Sequence, residues 1–592
     1  MASAAMNQWL SMTRWCRPGW WAGPIFQKEL RVASRRRRSY LLRCAYVLLL
    51  TMYIALVWIS AVSLARTGAV SRAQMQVAAY TITRGIVWFQ FVGVQLVVLI
   101  LMSTSITEEV YRRTLCALMT TPLSSRQVVL NKFFSRLFQV LLLVAVSLPL
   151  LAIVRVLGGT AWSYLILSLS VTAATAIFVG SVSLFFSVLC RRAHLGVLAS
   201  VLSIVLASAL APVLLDMPLR ALRLNPKGLA SVNPYILLLY YPNLGASGRG
   251  ATVTGMSETI TCCLLLLLGS VLLLTCATRL VERVALPRAM GEPVLLDRLR
   301  HRRLRDLARG RGARSRPRAI RRVMGPPMIW KELTCTFSGR QKFAARMVLG
   351  VEVLLVLIVL LFPAMIIRVP YEVLHRVYIW AFLGLAVLLT MIVPASVMSA
   401  ERESRTWPVL LLTPLTNQEI LLGKFVGLLR RCGAMWLLLL AYVASFTYAG
   451  FFHPLAIVQM AAVTGAILSL LAATGFYFGL RLRTTTEAVT ANLALGGALW
   501  CVFPLFASAV EHWIHIRWHW ASSAALAMVP FAQVLSMMNT TLDGRAGAIP
   551  WLGQSLSAWE FTRLMVVSML GHMLLALLFT WRTVQGLRRR ML

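Results

Sequence analysis

The residues of this chain that could do chemistry are few. Glu511-His512-x-x-His515-x-x-x-His519 puts three imidazoles near one helical face, a spacing that could hold zinc or copper. Trp513, Trp518 and Trp520 interleave with them, however, and that mixture marks an aromatic belt at a membrane interface, so no metal site is assigned. The ten Cys include no C-x-x-C pair, which removes zinc-ribbon and thioredoxin chemistry. The sole Gly-Lys, Gly423-Lys424, is followed by Phe425 and has Glu419 four residues ahead, so no phosphate-cradling G-x-x-x-x-G-K-[ST] loop exists. What remains is charge in a pattern. Glu108, Glu109, Thr114, Pro122 and Lys132 form one set, and Glu401, Glu403, Thr406, Pro414 and Lys424 form another. Lys28-Glu29-Leu30 and Lys331-Glu332-Leu333 form a third pair of blocks. None of these is arranged for covalent catalysis, and no catalytic or cofactor-binding residue is assigned.

The elements that carry them must be membrane spans. Of 592 residues, 59% are hydrophobic and only 13% charged, against the ~25% charged residues of a soluble domain. Mean hydropathy is +0.76. A soluble enzyme and a disordered chain are both excluded, and the expected fold class is all-α, a polytopic membrane protein. Apolar runs long enough to cross a bilayer occur at 44–63, 85–107, 137–154, 162–189, 195–215 and 259–278, then at 347–367, 377–400, 432–451, 455–480, 488–510 and 564–581. Leu229–Leu244 and Ala521–Leu542 are interrupted by Pro and polar residues and read as short re-entrant segments.

Charge orients these spans. The chain carries 59 Lys and Arg against 19 Asp and Glu, a net +40 that in a soluble protein would suggest nucleic-acid binding. With twelve spans, 46 of the 59 cations fall on one side, which the positive-inside rule makes cytoplasmic. Both termini and the basic 282–322 linker are then cytoplasmic, with Arg249 and Arg545 outside. The first 40 residues lack the apolar core of a cleaved signal peptide, so the first span is expected to serve as an uncleaved insertion signal.

The chain also repeats itself. Gly23-Pro24-Ile25-Phe26-Gln27-Lys28-Glu29-Leu30 recurs as Pro326-Pro327-Met328-Ile329-Trp330-Lys331-Glu332-Leu333, each before the first span of its half and each amphipathic enough to lie in the membrane interface. The Glu109–Lys132 block recurs as Glu401–Lys424 between spans two and three. The expected domains are therefore a first repeat over 1–281, the linker over 282–322, and a second repeat over 323–592. Each charged block reads as a helix–Pro–helix elbow. Thr107 or Ser399 would cap a first helix whose opening acids complement its dipole. Pro122 or Pro414 would end it, and Ser124-x-x-Gln127 or Thr416-x-x-Glu419 would open a second helix that continues into span three.

These blocks resemble the ABC-transporter permeases of the type 2 exporter family, which have six spans per half, an interfacial Lys-Glu-Leu helix and a loop of the form E-x-E-x-x-T…T-P-L-[ST]…G-K. Glu401, Glu403, Thr406, Thr413-Pro414-Leu415-Thr416 and Gly423-Lys424 match that loop. The first half departs from it, with Tyr111 at the second acid and Asn131 in place of Gly. Asn233-Pro234-Tyr235 and Pro530-Phe531 look like the family's outer re-entrant element. The resemblance implies a permease subunit of an ATP-driven exporter in the inner membrane, with the elbows contacting two copies of a separate ATP-binding subunit. That partner would carry the ATP and Mg, since this chain has no cofactor of its own.

Two other readings share the layout. An ion-coupled 6+6 carrier would show G-x-x-x-D-x-x-G-R between spans two and three, where this chain has the acidic elbow, and would favour acids within the bilayer. Glu352 is the one such acid, and it lies near Arg346 at a span end. A membrane scaffold without transport shares the hydropathy and is distinguished by whether an ATPase accompanies it. Gly245-Ala246-Ser247-Gly248 resembles the serine turn of rhomboid proteases but lies in a polar loop beside Arg249, away from the mouth of any span.

Overall fold

The computed structural model describes residues 24–35, parts of 40–55, most of 72–115, 120, 124–156, 162–190, parts of 196–208, most of 233–238, 251–286, 325–334, 350, 371–403, 406–482 apart from a short gap, most of 484–507, most of 528–534, and 558–589. Every regular element among them is helical. Eight of these helices are long and apolar enough to cross a membrane. They correspond to expected spans two, three, four and six of each half. Apart from Gly350 the span expected at 347–367 lies outside the described residues, as does most of 195–215, and 44–63 is described only up to Ala55. The His512–His519 cluster, Ser247, Glu352 and Pro122 also lie outside them.

The chain divides into two compact units, Met1–Ser315 and Arg316–Leu592. The first contains the interfacial helix α1 (Pro24–Arg35), span α2 (Arg72–Ser103), the short helix α3 (Thr107–Tyr111), and spans α4 (Ser125–Val156), α5 (Trp162–Leu189) and α6 (Ala251–Leu280). A π-helical turn, Val281–Ala285, follows α6. Span α5 is the centre of this unit, packed against α2 and α6. Its Ser and Thr hydroxyls mostly bond back to carbonyls one turn earlier, such as Thr172 to Ser168 O at 2.7 Å, which satisfies them without water.

The second unit contains α7 (Pro327–Thr334), α8 (Tyr371–Glu403), the short α9 (Trp407–Leu411), α10 (Asn417–Tyr448), α11 (Leu455–Arg481), α12 (Thr485–Gly497) with the π-helical turn Ala498–Val502, and α13 (Ala558–Arg589). Here α11 is central, against α8 and α13. Burial separates the roles of the spans. The most apolar window of α8 is 89% buried, whereas those of α6 and α13 are 22% buried and turn Leu-rich faces outward, as lipid-facing helices do. Close approach of backbones makes this packing possible. A Cβ on Gly479 would lie 2.7 Å from both Ala395 O and Met398 Cβ, so α11 and α8 meet almost backbone to backbone.

Candidate functional site

Each elbow is built around one buried lysine. In the second unit α10 opens at Asn417 behind the expected capping box: Thr416 Oγ1 accepts from Glu419 N at 3.3 Å, and Glu419 Oε2 accepts from Thr416 N at 2.8 Å. In the first unit Ser124 and Gln127 make the same reciprocal pair, at 3.3 and 3.0 Å. Two turns into each helix stands the lysine. Lys424 is 2% exposed, with Nζ 2.6 Å from Glu401 Oε1 and 2.7 Å from Glu332 Oε1. Lys132, also 2% exposed, lies 2.7 Å from Glu109 Oε1 and 3.8 Å from Glu29 Oε1. The interfacial helix, the elbow and the start of span three thus meet at a single ammonium in both units.

The threonine of each block completes the clasp. Thr406 Oγ1 donates to Glu401 Oε2 at 2.8 Å, and Thr114 Oγ1 donates to the Glu109 carboxylate. The spacing E-x-x-x-x-T therefore serves to fold the chain back over its own carboxylate. Burial alone would push the Glu401 carboxyl up, but the Lys424 charge, the hydrogen bonds from Lys424 and Thr406, and Lys331 beyond them hold it below the usual range. Glu109 is lowered against the same desolvation by Lys132, Thr114 and Lys28. Glu401 and Glu109 are engaged inside the chain. The side chains of Glu403 and Glu108 lie outside the described residues.

The second clasp is larger. Arg431 Nη2 reaches Glu332 Oε2 at 3.1 Å, and Lys331 Nζ lies 3.7 Å from Glu401 Oε1. Gln139 occupies the position of Arg431 in the first unit. The α7–α10 contact is also tighter. Gly423 faces Met328, and a Cβ on Gly427 would lie 2.8 Å from Glu332 Oε2, so small residues on α10 let the Glu332 side chain lie flat between the helices. Leu333 turns outward. In the first unit Lys28 is exposed and Leu30 half-buried, while Phe26 meets Phe138 of α4 edge-to-face at 6.4 Å.

Two details of the expected elbow are corrected. Ser399 does not cap a new helix, because α8 runs unbroken from Tyr371 to Glu403 and the Ser399 hydroxyl donates to Ala395 O at 2.7 Å inside it. Glu401 therefore stands in a last helical turn, where the dipole opposes it, and the clasp rather than the dipole stabilises its charge. Thr107 does not cap with its own hydroxyl either. That role falls to Ser187 of α5, whose Oγ accepts from the backbone N of both Ile106 and Thr107 at 3.1 Å. The position corresponding to Ser187 in the second unit is Gly479. One unit bonds α5 to its elbow; the other presses α11 flush against α8. Arg402 then ties the second elbow to α11 by donating to Leu480 O and Leu482 O, each at 2.9 Å.

The outward face of the second elbow is apolar. Trp407 and Leu410 are buried beneath α9, while Val409 and Leu412 are 66% and 86% exposed. Helix α9 stops at Leu411 because Pro414 has no N–H to continue it, and Pro414 itself is exposed.

Sequence reasoning missed one buried group. His572, on α13, accepts from Trp500 Nε1 at Nε2 (3.2 Å), and its Nδ1 is 2.8 Å from Ser568 O. A lone imidazole in an apolar run gives no pattern by which to find it.

Residues 24–284 match the family model described as ABC-2 family transporter protein, a stretch that begins with α1 and ends in the π-helical turn after α6. No curated protein matches the chain. The matched stretch contains the first elbow and its clasp, and the same geometry recurs around Lys424. Over its first half this multi-pass membrane protein is thus similar to the ABC-2 family transporter proteins, permeases that are the membrane components of ABC transport systems.

Proposed function

We propose that this chain is the transmembrane permease subunit of an ATP-driven ABC exporter. It forms the translocation path and couples it to separate ATPase subunits through loops 106–132 and 399–424. The observation that carries this reading is the second elbow. It is a body braced by the Lys424–Glu401–Thr406 clasp, with two large apolar side chains, Val409 and Leu412, facing outward. Such a knob suits a hydrophobic cleft on a protein partner. Because each unit has its own elbow and clasp, one copy of the chain serves two ATPase subunits, which carry the ATP and Mg. The Lys and Arg distribution favours a bacterial inner membrane with both termini, both elbows and the 282–322 linker on the cytoplasmic side, the linker touching anionic lipid.

The test is binding of the purified ATPase to the chain in nanodiscs. Burying a Val or Leu side chain is worth ~1.5–3 kcal/mol, so Val409→Ser with Leu412→Ser should weaken association at least about tenfold. Unchanged affinity would remove the coupling assignment. Native mass spectrometry should give one permease with two ATPase subunits; two permease chains in the minimal active complex would overturn the stoichiometry.

A further inference from the structure

The His572 network ties three elements of the second unit together at mid-membrane. His572 is 4% exposed and lies near the middle of the apolar stretch Thr562–Leu587. Its partners fix its state. Ser568 O can only accept, so Nδ1 carries the proton; the Trp500 indole can only donate, so Nε2 carries the lone pair. The ring is the neutral Nδ1–H tautomer. Trp500 sits on the π-helical turn Ala498–Val502, an irregularity that re-aims side chains. From the third side Gln533, in the segment after Pro530, donates to Ser568 Oγ at 3.1 Å. Trp500, Gln533 and Ser568 are all buried.

We propose that His572 is a proton-operated latch that joins the π-helical turn and the Pro530 segment to α13 when neutral and releases them when protonated. Protonation would place a second N–H at Nε2, directly opposite the Trp500 N–H. Two donors cannot bond, and the indole presents the positive edge of its ring system to the new charge. The donor from Trp500 would be left unsatisfied at membrane depth, where that costs most.

Among the described residues, the elements packed around His572 offer the imidazolium no counter-charge. The acidic and basic residues of α13 lie towards its ends, at Glu560, Arg563, Arg582, Arg588 and Arg589. On α11 the charge is Arg481 in the last turn, and Tyr477 packs with Phe579 two turns from His572. The α11 residues against this stretch carry no charge: Ser469 donates to Met573 Sδ at 3.1 Å, and Leu470 and Ala473 pack with Ala576. On α12 the charge is Glu487 in the first turn. Helix α10 reaches α13 through Asn417, which donates to Val584 O at 3.1 Å; its Glu419, Lys424, Arg430 and Arg431 belong to the elbow end, and its Cys432 and Tyr442 are buried. From the π-helical turn the titratable neighbour in sequence is Cys501.

The first unit ties its corresponding Pro segment differently. Tyr235, held by an Asn233 Oδ1 bond to its backbone N at 2.9 Å, donates to Gln95 on α2. Neither group changes charge near neutral pH. Among the described residues only the second unit places an imidazole in the tie, which makes the release specific to that unit.

The experiment is hydrogen exchange of the full chain in nanodiscs at pH 7.5 and pH 5.0, corrected for intrinsic exchange rates. In the wild type, protection over 498–504 and 530–534 should fall at least tenfold at the lower pH, with the α5 backbone unchanged. His572→Gln, which cannot titrate, should show the same protection at both pH values. Trp500→Phe keeps the imidazole but lacks the donor, and should be weakly protected at both; it serves if His572→Gln does not insert. Equal wild-type protection at the two pH values overturns the latch. So does a pH-dependent loss that survives in His572→Gln or Trp500→Phe.

Discussion

Lys424 and Glu401, 23 residues apart, close the second elbow at 2.6 Å, and Lys132 and Glu109 close the first at 2.7 Å with the same separation in sequence. A lysine that is 2% exposed is held in place by its carboxylates. Removing it strands them, and breaking a buried pair from one side costs ~3–5 kcal/mol. Lys424→Met leaves both Glu332, 6% exposed, and Glu401 without their main partner. Lys132→Met strands chiefly Glu109, since Glu29 is more exposed and farther away. Thermal unfolding of the two variants in detergent should show the larger loss for Lys424→Met.

The depressed carboxyl groups set the acid limit of the elbows. A group whose folded pKa lies below its unfolded value contributes stability that is present above the unfolded value, ~4.3 for Glu, and is lost as pH falls through the folded one. Glu401 and Glu109 are both lowered by their clasps. Protease resistance of the 399–424 loop should therefore be flat above about pH 5 and fall below about pH 4. Thr406→Val removes one bond to the carboxylate, so the folded pKa rises towards the unfolded one. The clasp then contributes less, and its loss, which still begins near the unfolded value, is complete at a higher pH.

Where one unit has Ser187 and the other Gly479, the two residues should not be interchangeable. Gly479→Ala drives a Cβ into Ala395 O and Met398, backbone and near-backbone atoms with nowhere to go. Overpacking of this kind costs ~1–3 kcal/mol. Gly433→Ala on α10 meets nothing within 4 Å and should be neutral or stabilising by up to ~1 kcal/mol through helix propensity. Ser187→Gly removes the oxygen that caps Ile106 and Thr107, a loss of ~0.5–2 kcal/mol. Melting temperatures of the three variants should fall in the order Gly433→Ala, Ser187→Gly, Gly479→Ala.

What could be read in the sequence was what is local. The capping boxes at Ser124 and Thr416 are four-residue patterns, and they form as their spacing requires. The helical class and the positions of spans two, three, four and six follow from long apolar runs. The partners of Lys424 were not readable: Glu332 lies 92 residues away, and its pairing depends on Gly423 and Gly427 bringing α7 against α10. The helix-capping expectation failed for the same reason. Thr107 looks like a cap to any local rule, but Ser187, 80 residues on, reaches the amides first. His572 was invisible because its meaning lies in a π-helical turn that no residue pattern announces.

The clasp and the outward face of the second elbow should weaken partner binding by different routes. Leu412 is 86% exposed and, under the proposed coupling, touches the ATPase directly, so Leu412→Ser should shorten the life of the complex and raise the dissociation rate. Glu401, in contrast, bonds Lys424 and Thr406 within this chain. Glu401→Ala frees Lys424 from one of its two carboxylates and leaves Thr406 only the backbone carbonyl of residue 401 as the acceptor there, so the elbow spends less time in its bound shape. Apparent affinity then falls with the competent fraction. Complexes that do form retain the same contacts, so the loss should appear in the association rate with dissociation unchanged. Glu109→Ala should act in the same direction but less, because its clasp lacks a counterpart of Arg431. Surface plasmon resonance with immobilised nanodiscs separates the two rates. A faster dissociation in Glu401→Ala would place its carboxylate at the ATPase interface instead of inside the elbow.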